Sequence, residues 1–312
     1  MRILVTGSTG WLGRHLIPLL RSHGHDTVGL DVAAGPSTDV IGSVADRTAV
    51  DAAFETGPID AVVHSAALHK PDIARYGERA FHAINVVGTG NVLAAATAAG
   101  AGAVVFTSST SLMISSAVRS NTGSAVWIDE DFGPIEPRNV YGVTKLEAEH
   151  ACRDAGVPVI VLRTSRFFPE ADDELTGDGL NVKANELLYR RLTVHDAAAA
   201  HLVALRGAHR IGYGVYIVSA PTPLRRSDAA QLGVDAPTVI AGYYPQAADL
   251  YARRGWTLPP RIDRVYDAGR ADRDLGFRAG TDFGTVLSAL ERGEDPPIEH
   301  DPSYISPKEA RC

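Results

Sequence analysis

Cysteine is nearly absent from this chain of 312 residues, which holds only Cys152 and Cys312. Two cysteines at such positions indicate neither a disulfide framework nor a thiolate metal site. The chain also lacks a run of Lys and Arg, carries a formal net charge of -7, and has no apolar run of membrane-spanning length. We therefore expect no metal, no nucleic-acid partner, no membrane insertion, no leader peptide before the strand-like residues 2–6, and a cytoplasmic location.

Short apolar runs alternate with helical patterns in the first half of the chain, which predicts a parallel sheet joined by crossover helices. A hydrophobic content of 45% is enough for a full core at this length. We predict an α/β fold: a Rossmann-type doubly wound parallel sheet with a smaller C-terminal substrate lobe. The predicted strands are 3–6, 27–31, 61–64, 104–108, 159–163 and 215–218. The predicted helices begin near Trp11, Asp46, Glu78 and Tyr141 or cover 81–99, 197–205 and 283–290.

Three glycines, Gly7, Gly10 and Gly13, lie between the first predicted strand and the first predicted helix. Glycine permits a tight turn, close approach of the backbone to a diphosphate, and close packing of helix against strand. Asp31 ends the second predicted strand, where a carboxylate accepts hydrogen bonds from ribose hydroxyls and repels a 2'-phosphate. No Arg or Lys follows Asp31 closely, so the pattern predicts NAD rather than NADP.

Tyr141 and Lys145 are four residues apart in a helical pattern, so their side chains face one side of the helix. We expect a nearby ammonium and an oxidised nicotinamide to lower the pKa of the phenol, which then acts as general acid or base toward an alcohol or carbonyl. Lys145 is also expected to bind the nicotinamide ribose. The same spacing recurs over 304–308, but a proline there would break a helix, and we treat this match as coincidental.

The combined pattern resembles the extended short-chain dehydrogenases/reductases of the NAD-dependent epimerase/dehydratase family. The resemblance covers most of the first 220 residues and is carried by the segments 6–13, 64–67, 85–89 and 137–145. It implies a catalytic triad of Ser109, Tyr141 and Lys145, although hydroxyl residues after a strand also cap turns. It further implies a homodimer packed through the helices at 81–99 and 141–152.

The candidate site residues combine these motifs with the resemblance. The cofactor-binding candidates are Gly7, Thr9, Gly10, Trp11, Leu12, Gly13, Asp31, Ser43, Val44, Ser65, Ala66, Ala67, Asn85, Thr107, Tyr141 and Lys145. The substrate candidates are His69, Thr110, Ser111, Arg166 and Asn181. The predicted domains are an NAD-binding domain of 1–165 plus about 189–219, a substrate lobe of about 166–188 plus 220–293, and a tail of 294–312.

Departures from the family pattern narrow the expected function. Thr110 and Ser111 stand where dehydratases of the family place an Asp-Glu pair, which argues against dehydration. The insertion before Val194 is short, which indicates a substrate smaller than a nucleotide sugar. We expect an NAD-dependent oxidoreductase acting on a small polar, sugar-like substrate. The alternatives are a nucleotide-sugar epimerase that retains its NAD, and a non-catalytic dinucleotide sensor.

Overall fold

The computed structural model describes residues 1–121, 123–170 and 179–306. Its central sheet has seven parallel strands in the order β3-β2-β1-β4-β5-β7-β8. These strands are β1 (Arg2–Thr6), β2 (Asp26–Asp31), β3 (Val40–Ile41), β4 (Ala61–His64), β5 (Ala103–Ser109), β7 (Val159–Thr164) and β8 (Tyr213–Val218). A second sheet pairs β6 (Val126–Ile128) with β9 (Arg264–Tyr266). The predicted fold class is confirmed, and the strand order reverses between β1 and β4, where such folds bind their ligands.

Helices connect the strands of the main sheet and build most of the second lobe. The α-helices are α1 (Trp11–Ser22), α2 (Arg47–Glu55), α3 (Glu78–Phe81), α4 (Gly88–Ala98), α5 (Ser116–Ser120), α6 (Val140–Arg153), α7 (Gly179–Glu186), α8 (Val194–Ile211), α9 (Ala229–Leu232), α10 (Ala236–Tyr243), α11 (Ala247–Arg254) and α12 (Phe283–Glu291). Tighter or wider turns occur at Lys70–Ala74, Thr110–Met113, Arg226–Asp228, His82–Val87 and Ala271–Leu275. Within the described ranges, no helix has both the length and the apolar character needed to cross a bilayer.

The main sheet is buried on both faces, which explains why its strands are continuously apolar rather than alternating. Val105 and its neighbours on one face pack against α1 and α8, through side chains such as Leu16 and Leu202. Val104, whose side chain points the opposite way, packs in a second core with residues of α2, α4 and α6. The two cores fix both helix layers, and the carboxyl ends of the strands are left at one edge.

The smaller lobe has its own core, formed mainly by residues 184–189 and 220–287. All six predicted strands lie within observed strands, and the helix starts predicted near Trp11, Asp46, Glu78 and Tyr141 fall within one residue of observed ones. The helix predicted over 197–205 begins three residues earlier, at Val194, and the stretch 81–99 is divided between α3, a wider turn and α4. The strands β3, β6 and β9 were not predicted, because each is only two or three residues long. Strand β6 also lies within the stretch assigned to the NAD-binding domain, yet it pairs with β9 of the smaller lobe. The domain boundaries remain a prediction.

Candidate active site

The glycine turn between β1 and α1 is built by close backbone contacts. Gly7 has φ +75°, and a Cβ added at Gly13 would lie 2.3 Å from the carbonyl oxygen of Gly7. Gly10 occupies the N-cap position of α1, where it has no side chain to accept from the first-turn amides, and that turn holds no acidic residue. The first-turn amides, which include those of Trp11 and Leu12, therefore suit an external anion such as a diphosphate.

Asp31 lies at the carboxyl end of β2 beside this turn, and it is 9% exposed. Its Oδ2 accepts a hydrogen bond from the amide of Thr9 at 3.0 Å, and its Oδ1 accepts one from the amide of Ala33 at 2.9 Å. Each carboxylate oxygen keeps a further lone pair, so the side chain is fixed in place and still able to accept from a ribose diol. Of the other candidates nearby, Ser43 accepts from the amide of Ala45, and Val44 is buried.

A buried histidine fixes the end of β4. Nε2 of His64 lies 3.0 Å from Oγ1 of Thr89, which gives its own hydrogen to the carbonyl of Asn85 and must therefore accept from the ring. Nδ1 of His64 then accepts from the hydroxyl of Thr6 at 2.7 Å, and that hydroxyl accepts from the amide of Ala66 at 3.2 Å. Burial lowers the pKa of His64 to about 3, so the ring is neutral and has a structural role.

Asn85 was a candidate cofactor ligand, but its amide group is used inside the protein. The side chain donates to the carbonyl of Leu68 and to Oγ1 of Thr144, both at 3.1 Å, and accepts from the amide of Leu68 at 2.8 Å. Because Asn85 is 1% exposed, it joins the loop after β4 to α6 and positions both. Ser65 likewise donates to the carbonyl of Thr6, while Ala66 and Ala67 follow it along the edge.

The predicted triad meets where β5 ends against α6. Helix α6 begins after Asn139, whose side chain caps the amide of Gly142. This start places Tyr141 in the first turn, 6% exposed, with the side chain of Ser109 near enough to its phenol to lower the pKa of that group. One turn later, Nζ of Lys145 donates to the carbonyl of Thr107 at 2.6 Å. The structure therefore brings Ser109 to Tyr141, and Lys145 to the strand that carries Ser109.

The pKa of Tyr141 in the protein alone is raised, whereas the expected lowering includes the charge of an oxidised nicotinamide and stays a prediction. Burial raises the pKa of Tyr141 to about 12; the hydrogen bond from Ser109 opposes this shift and the charge of Asp72 adds to it. Burial also lowers the pKa of Lys145 to about 8, against the charge of Glu149. Desolvation of the phenol outweighs the effect of Ser109, because a charged group loses more solvation than a neutral one. Tyr141 is thus protonated and able to act as an acid.

Thr107 connects the triad to a helix on the other face of the sheet. Nδ1 of His201 lies 2.7 Å from the carbonyl of Ala197, which only accepts, so this nitrogen carries the hydrogen. Nε2 of His201 therefore accepts from the hydroxyl of Thr107 at 2.8 Å. The hydroxyl of Thr107 is used in this way, while its carbonyl holds Lys145. Sequence patterns do not predict this contact, because His201 lies 94 residues further along the chain.

A buried charge pair, which we call the β5–α6 clamp, holds the two triad-bearing elements together. Its residues are Ser108, Glu149 and Arg163, each at most 6% exposed. Ser108 donates to Oε1 of Glu149 at 2.6 Å, and Nη2 of Arg163 lies 2.7 Å from Oε2. The clamp was not predicted, although Glu149 continues the spacing of Tyr141 and Lys145 by one more turn. A charged residue on this buried helix face was the available signal.

The substrate candidates next to the triad differ in exposure. The ring of His69 lies 5.9 Å from that of Tyr141 and 5.2 Å from that of Phe168, so it borders the phenol. Thr110 is 4% exposed and donates to the carbonyl of Thr164 at 3.4 Å. Ser111, in the same turn, is half-buried, and its amide donates to the hydroxyl oxygen of Ser109 at 3.1 Å.

The substrate rim, as we name residues 166–170 and 179–191, is held by charges. Glu186 forms ion pairs with Arg190 at 2.9 Å and with Arg191 at 3.1 Å. The half-buried Arg166 lies two residues after the end of β7. Asn181, a substrate candidate, donates to the carbonyl of Thr257 at 3.1 Å and accepts from its amide at 3.1 Å. This pairing gives Asn181 a packing role. Residues 171–178, between the two parts of the rim, lie outside the described residues.

Comparisons with known proteins agree with this geometry. A sequence profile of the NAD dependent epimerase/dehydratase family matches residues 3–180. The chain is 30% identical over 257 residues to the 2-alkyl-3-oxoalkanoate reductase of Stenotrophomonas maltophilia, covering 72% of this chain and 73% of that protein. It is 31% identical over 175 residues to the UDP-glucose 4-epimerase of Halalkalibacterium halodurans, covering 52% of this chain and only half, 50%, of that enzyme.

The fold itself has solved counterparts. A short-chain dehydrogenase/reductase superfamily protein from Agrobacterium tumefaciens, solved with bound NAD, superposes with a TM-score of 0.64 at 22% identity. The superposition covers 94% of this chain and 98% of that one. The site and the fold define an NAD-binding enzyme of the Rossmann class. The chain belongs to the NAD-dependent epimerase/dehydratase family, and the predicted family, enzyme class and NAD cofactor are confirmed.

Proposed function

We propose that this chain is an NAD-dependent oxidoreductase that transfers hydride at an alcohol or carbonyl carbon of a small polar substrate. The observation that carries the proposal is the placement of the Tyr141 phenol, 6% exposed in the first turn of α6, beside Ser109 at the carboxyl end of β5. A buried phenol and a neighbouring hydroxyl at this edge are the groups that a carbonyl oxygen needs, one to donate a proton and one to orient it.

The residues present fit NAD, as the glycine turn, the uncapped α1 amides and the oriented carboxylate of Asp31 indicate. When bound, NAD supplies the hydride acceptor or donor at its nicotinamide ring. Asp31 is proposed to hold the adenosine ribose, and the first turn of α1 the diphosphate. Lys145 is proposed to hold the nicotinamide ribose, for which its ammonium has donors beyond the one given to Thr107.

The protein's part in the chemistry is a proton transfer. In the reducing direction, the phenol of Tyr141 donates its proton to the substrate oxygen as that oxygen gains negative charge. Ser109 donates a second hydrogen bond to the same oxygen, and its own oxygen is held by the amide of Ser111. In the oxidising direction the tyrosinate removes the proton from the alcohol. The raised pKa of Tyr141 favours the protonated phenol, and therefore the reducing direction, until the cofactor's charge is present.

The short rim segment and the name of one relative support a small substrate. The segment between β7 and α8, residues 165–193, is short, and the matched reductase of Stenotrophomonas maltophilia is named for a 2-alkyl-3-oxoalkanoate. His69 and Arg166 are proposed as substrate contacts. An epimerase is the second candidate function, supported by the likeness to a UDP-glucose 4-epimerase. We further propose that the chain forms a homodimer through α4 and α6, in the cytoplasm.

The test separates these possibilities by the fate of the cofactor. The purified chain is denatured in acid and the released nucleotide is quantified, and NADH consumption is then followed with a set of 3-oxo acids and with UDP-glucose in parallel. Net NADH consumption with added cofactor supports the oxidoreductase. Stoichiometric retained NAD, with conversion of UDP-glucose and no added cofactor, identifies an epimerase instead. Binding of NAD without turnover of any substrate leaves the sensor hypothesis.

A further inference from the structure

Residues 299–304, which we call the strap, lie across the substrate rim. Nζ of Lys183 donates to the carbonyl of Glu299 at 3.2 Å and also to the carbonyl of Pro169. The amide of Asp301 donates to the same Pro169 carbonyl at 2.9 Å. The strap is therefore tied to the loop after β7 and to α7 by a shared set of polar contacts.

The far end of the strap reaches the glycine turn. The ring of Tyr304 lies edge-on to the indole of Trp11 at 5.0 Å, and the guanidinium carbon of Arg14 is 5.4 Å from the ring of Tyr304. The indole nitrogen of Trp11 donates to the carbonyl of Phe167 at 3.2 Å, which links this aromatic contact to the loop after β7. Tyr304 had looked like a coincidental motif match; the structure gives it a specific contact at the first residue of α1.

The strap also contacts the start of α8, which lies beside α1. Nδ1 of His195 is 2.8 Å from Oε1 of Glu299, and the ring of His195 packs edge-on against that of His15 at 5.0 Å. The strap thus joins the N-terminal ends of two helices on one face of the sheet to the substrate rim. It follows the same edge of the sheet as the candidate active site.

We propose that the strap is a wall of the dinucleotide site and that Tyr304 slows the release of bound NAD. This inference rests on the proposed function. A dinucleotide that spans from Asp31 on β2 to Tyr141 beside β5 must cross the end of β1, because β1 lies between these strands. It then passes the first turn of α1, where Tyr304 packs on Trp11. A cofactor leaving that turn has to pass or displace the strap.

The contacts of the strap suit a wall that opens. The side chain of His195 is 72% exposed, so its pair with Glu299 is weakened by water and salt. The contact at the other end is a single aromatic edge with a neighbouring cation. Opening of the strap therefore breaks few interactions. These interactions set the rate at which the cofactor is released. The strap decides in this way whether NAD is retained or exchanged between turnovers.

The experiment measures NADH release in the full-length chain. Enzyme loaded with NADH is mixed with excess NAD⁺ in a stopped-flow instrument, and the loss of bound NADH fluorescence gives the dissociation rate. We expect Tyr304→Ala to raise this rate about tenfold, the effect of losing roughly one aromatic contact. The matched control is Ile305→Ala, because Ile305 is the next residue and is 64% exposed. Its rate should equal that of the unaltered chain.

A second variant tests the opposite end of the strap. Glu299→Gln replaces the carboxylate that contacts His195, and we expect a rise of about threefold in the rate. Release rates for Tyr304→Ala and Glu299→Gln within the error of the control, with unchanged circular dichroism, would overturn the strap as a wall. Absence of NADH binding by the unaltered chain in an equilibrium titration would instead overturn the proposed function.

Discussion

The triad region and the substrate rim lie at the same edge of the sheet but are held by different forces. The triad region is fixed by buried hydrogen bonds among strands and helices of the main sheet, as the β5–α6 clamp and the pair of Thr107 and His201 illustrate. The rim is held by charged side chains, some of which join segments far apart in sequence: the ammonium of Lys183 donates to the backbone carbonyl of Glu299, 116 residues away. The comparison indicates that the catalytic residues are already held in position, while the entry of ligands to them depends on weaker contacts.

The two regions also differ in charge balance. Around the triad, Glu149 is matched by Arg163, and the buried histidines are neutral. In the described part of the rim, four cations, Arg166, Lys183, Arg190 and Arg191, surround two carboxylates, Glu170 and Glu186. Burial and the nearby guanidinium of Arg191 lower the pKa of Lys183 to about 8. The described part of the rim therefore has two more cations than carboxylates, which favours an anionic ligand there, whereas the sequence 171–178 between its two parts adds four acidic residues.

The largest expected effect is on catalysis, when the proton donor of the triad region is removed and the rest of the region is kept. Tyr141→Phe deletes the proton donor and leaves the ring, so we expect kcat to fall by about a thousandfold, the usual scale of acid–base catalysis. NADH affinity should stay within about twofold, because the phenol lies beside Ser109 rather than at the glycine turn. The measurements are steady-state kinetics and an NADH titration.

A matched control exists for this substitution. Tyr251 is 1% exposed in the smaller lobe, and its hydroxyl has no hydrogen-bond partner among the described residues. Tyr251→Phe should leave kcat unchanged and should not lower the free energy of unfolding. If Tyr141→Phe were as active as this control, the phenol would have no part in the reaction.

The residues that the sequence identified are those whose roles depend on local geometry. Gly7 and Asp31 act through a turn and a strand end, and Tyr141 and Lys145 through helical spacing, all of which short segments encode. Asn85 was placed in the site by its motif, but its role is decided by Leu68 and Thr144, and the latter lies 59 residues away. Local patterns predict where a side chain lies better than what it bonds.

The strap and the rim show the limit of sequence analysis in physical terms. Residues 299–304 read as a polar tail because their own composition buries little apolar surface. Their position is fixed by Trp11, Pro169 and His195, which belong to three different elements. Short strands such as β6 and β9 pose the same problem, since their pairing joins residues 126–128 to 264–266. Such contacts are specified by the assembled fold.

The next prediction tests whether the triad region is as rigid as its buried bonds indicate. Glu149→Gln keeps an acceptor for Ser108 but leaves Arg163 buried without a counter-charge, so we expect the free energy of unfolding to fall by about 3 kcal/mol. We expect kcat to fall about tenfold with NADH affinity unchanged, because the clamp positions Ser109 and Tyr141 and touches no ligand. Urea denaturation and kinetics at a temperature where the variant is folded provide the two readouts.

The control for the clamp is the double variant Glu149→Leu with Arg163→Met, in which no charge is left buried. Its stability should recover most of the loss, since apolar replacements of a buried ion pair are often neutral. Its kcat should stay low, because Ser108 has lost its acceptor. Full recovery of kcat in the double variant would show that the clamp contributes stability only.

Acid should weaken the triad region before it weakens the rim. His64 and His201 are buried as neutral rings with pKa values of about 3 and about 4, below the unfolded value of 6.5. The unfolded chain therefore binds more protons below pH 6.5, and stability falls as the pH falls. At pH 5 each ring should cost roughly 2 kcal/mol relative to pH 7. Urea denaturation at the two pH values measures this loss.

A substitution at one ring identifies its share of the acid sensitivity. His201→Gln removes the titrating group but keeps an acceptor for Thr107, so the difference in stability between pH 7 and pH 5 should shrink by about half. His23 is exposed at the end of α1, and His23→Gln should leave the difference unchanged. Equal pH dependence in both variants would mean that other groups govern acid unfolding.

The smallest expected effect addresses the excess charge of the rim. Arg166→Gln should raise KM for a 3-oxo acid about tenfold and leave kcat nearly unchanged, because uniform binding is lost without loss of acid–base chemistry. The methyl ester of the same acid, which lacks the negative charge, should show the same KM with either protein. Arg292, whose side chain is 58% exposed and paired with Glu294, supplies the control Arg292→Gln. An equal rise in KM for acid and ester would mean that Arg166 shapes the rim without binding an anion. The difference in charge between the two regions would then affect the folded structure and not the binding of substrate.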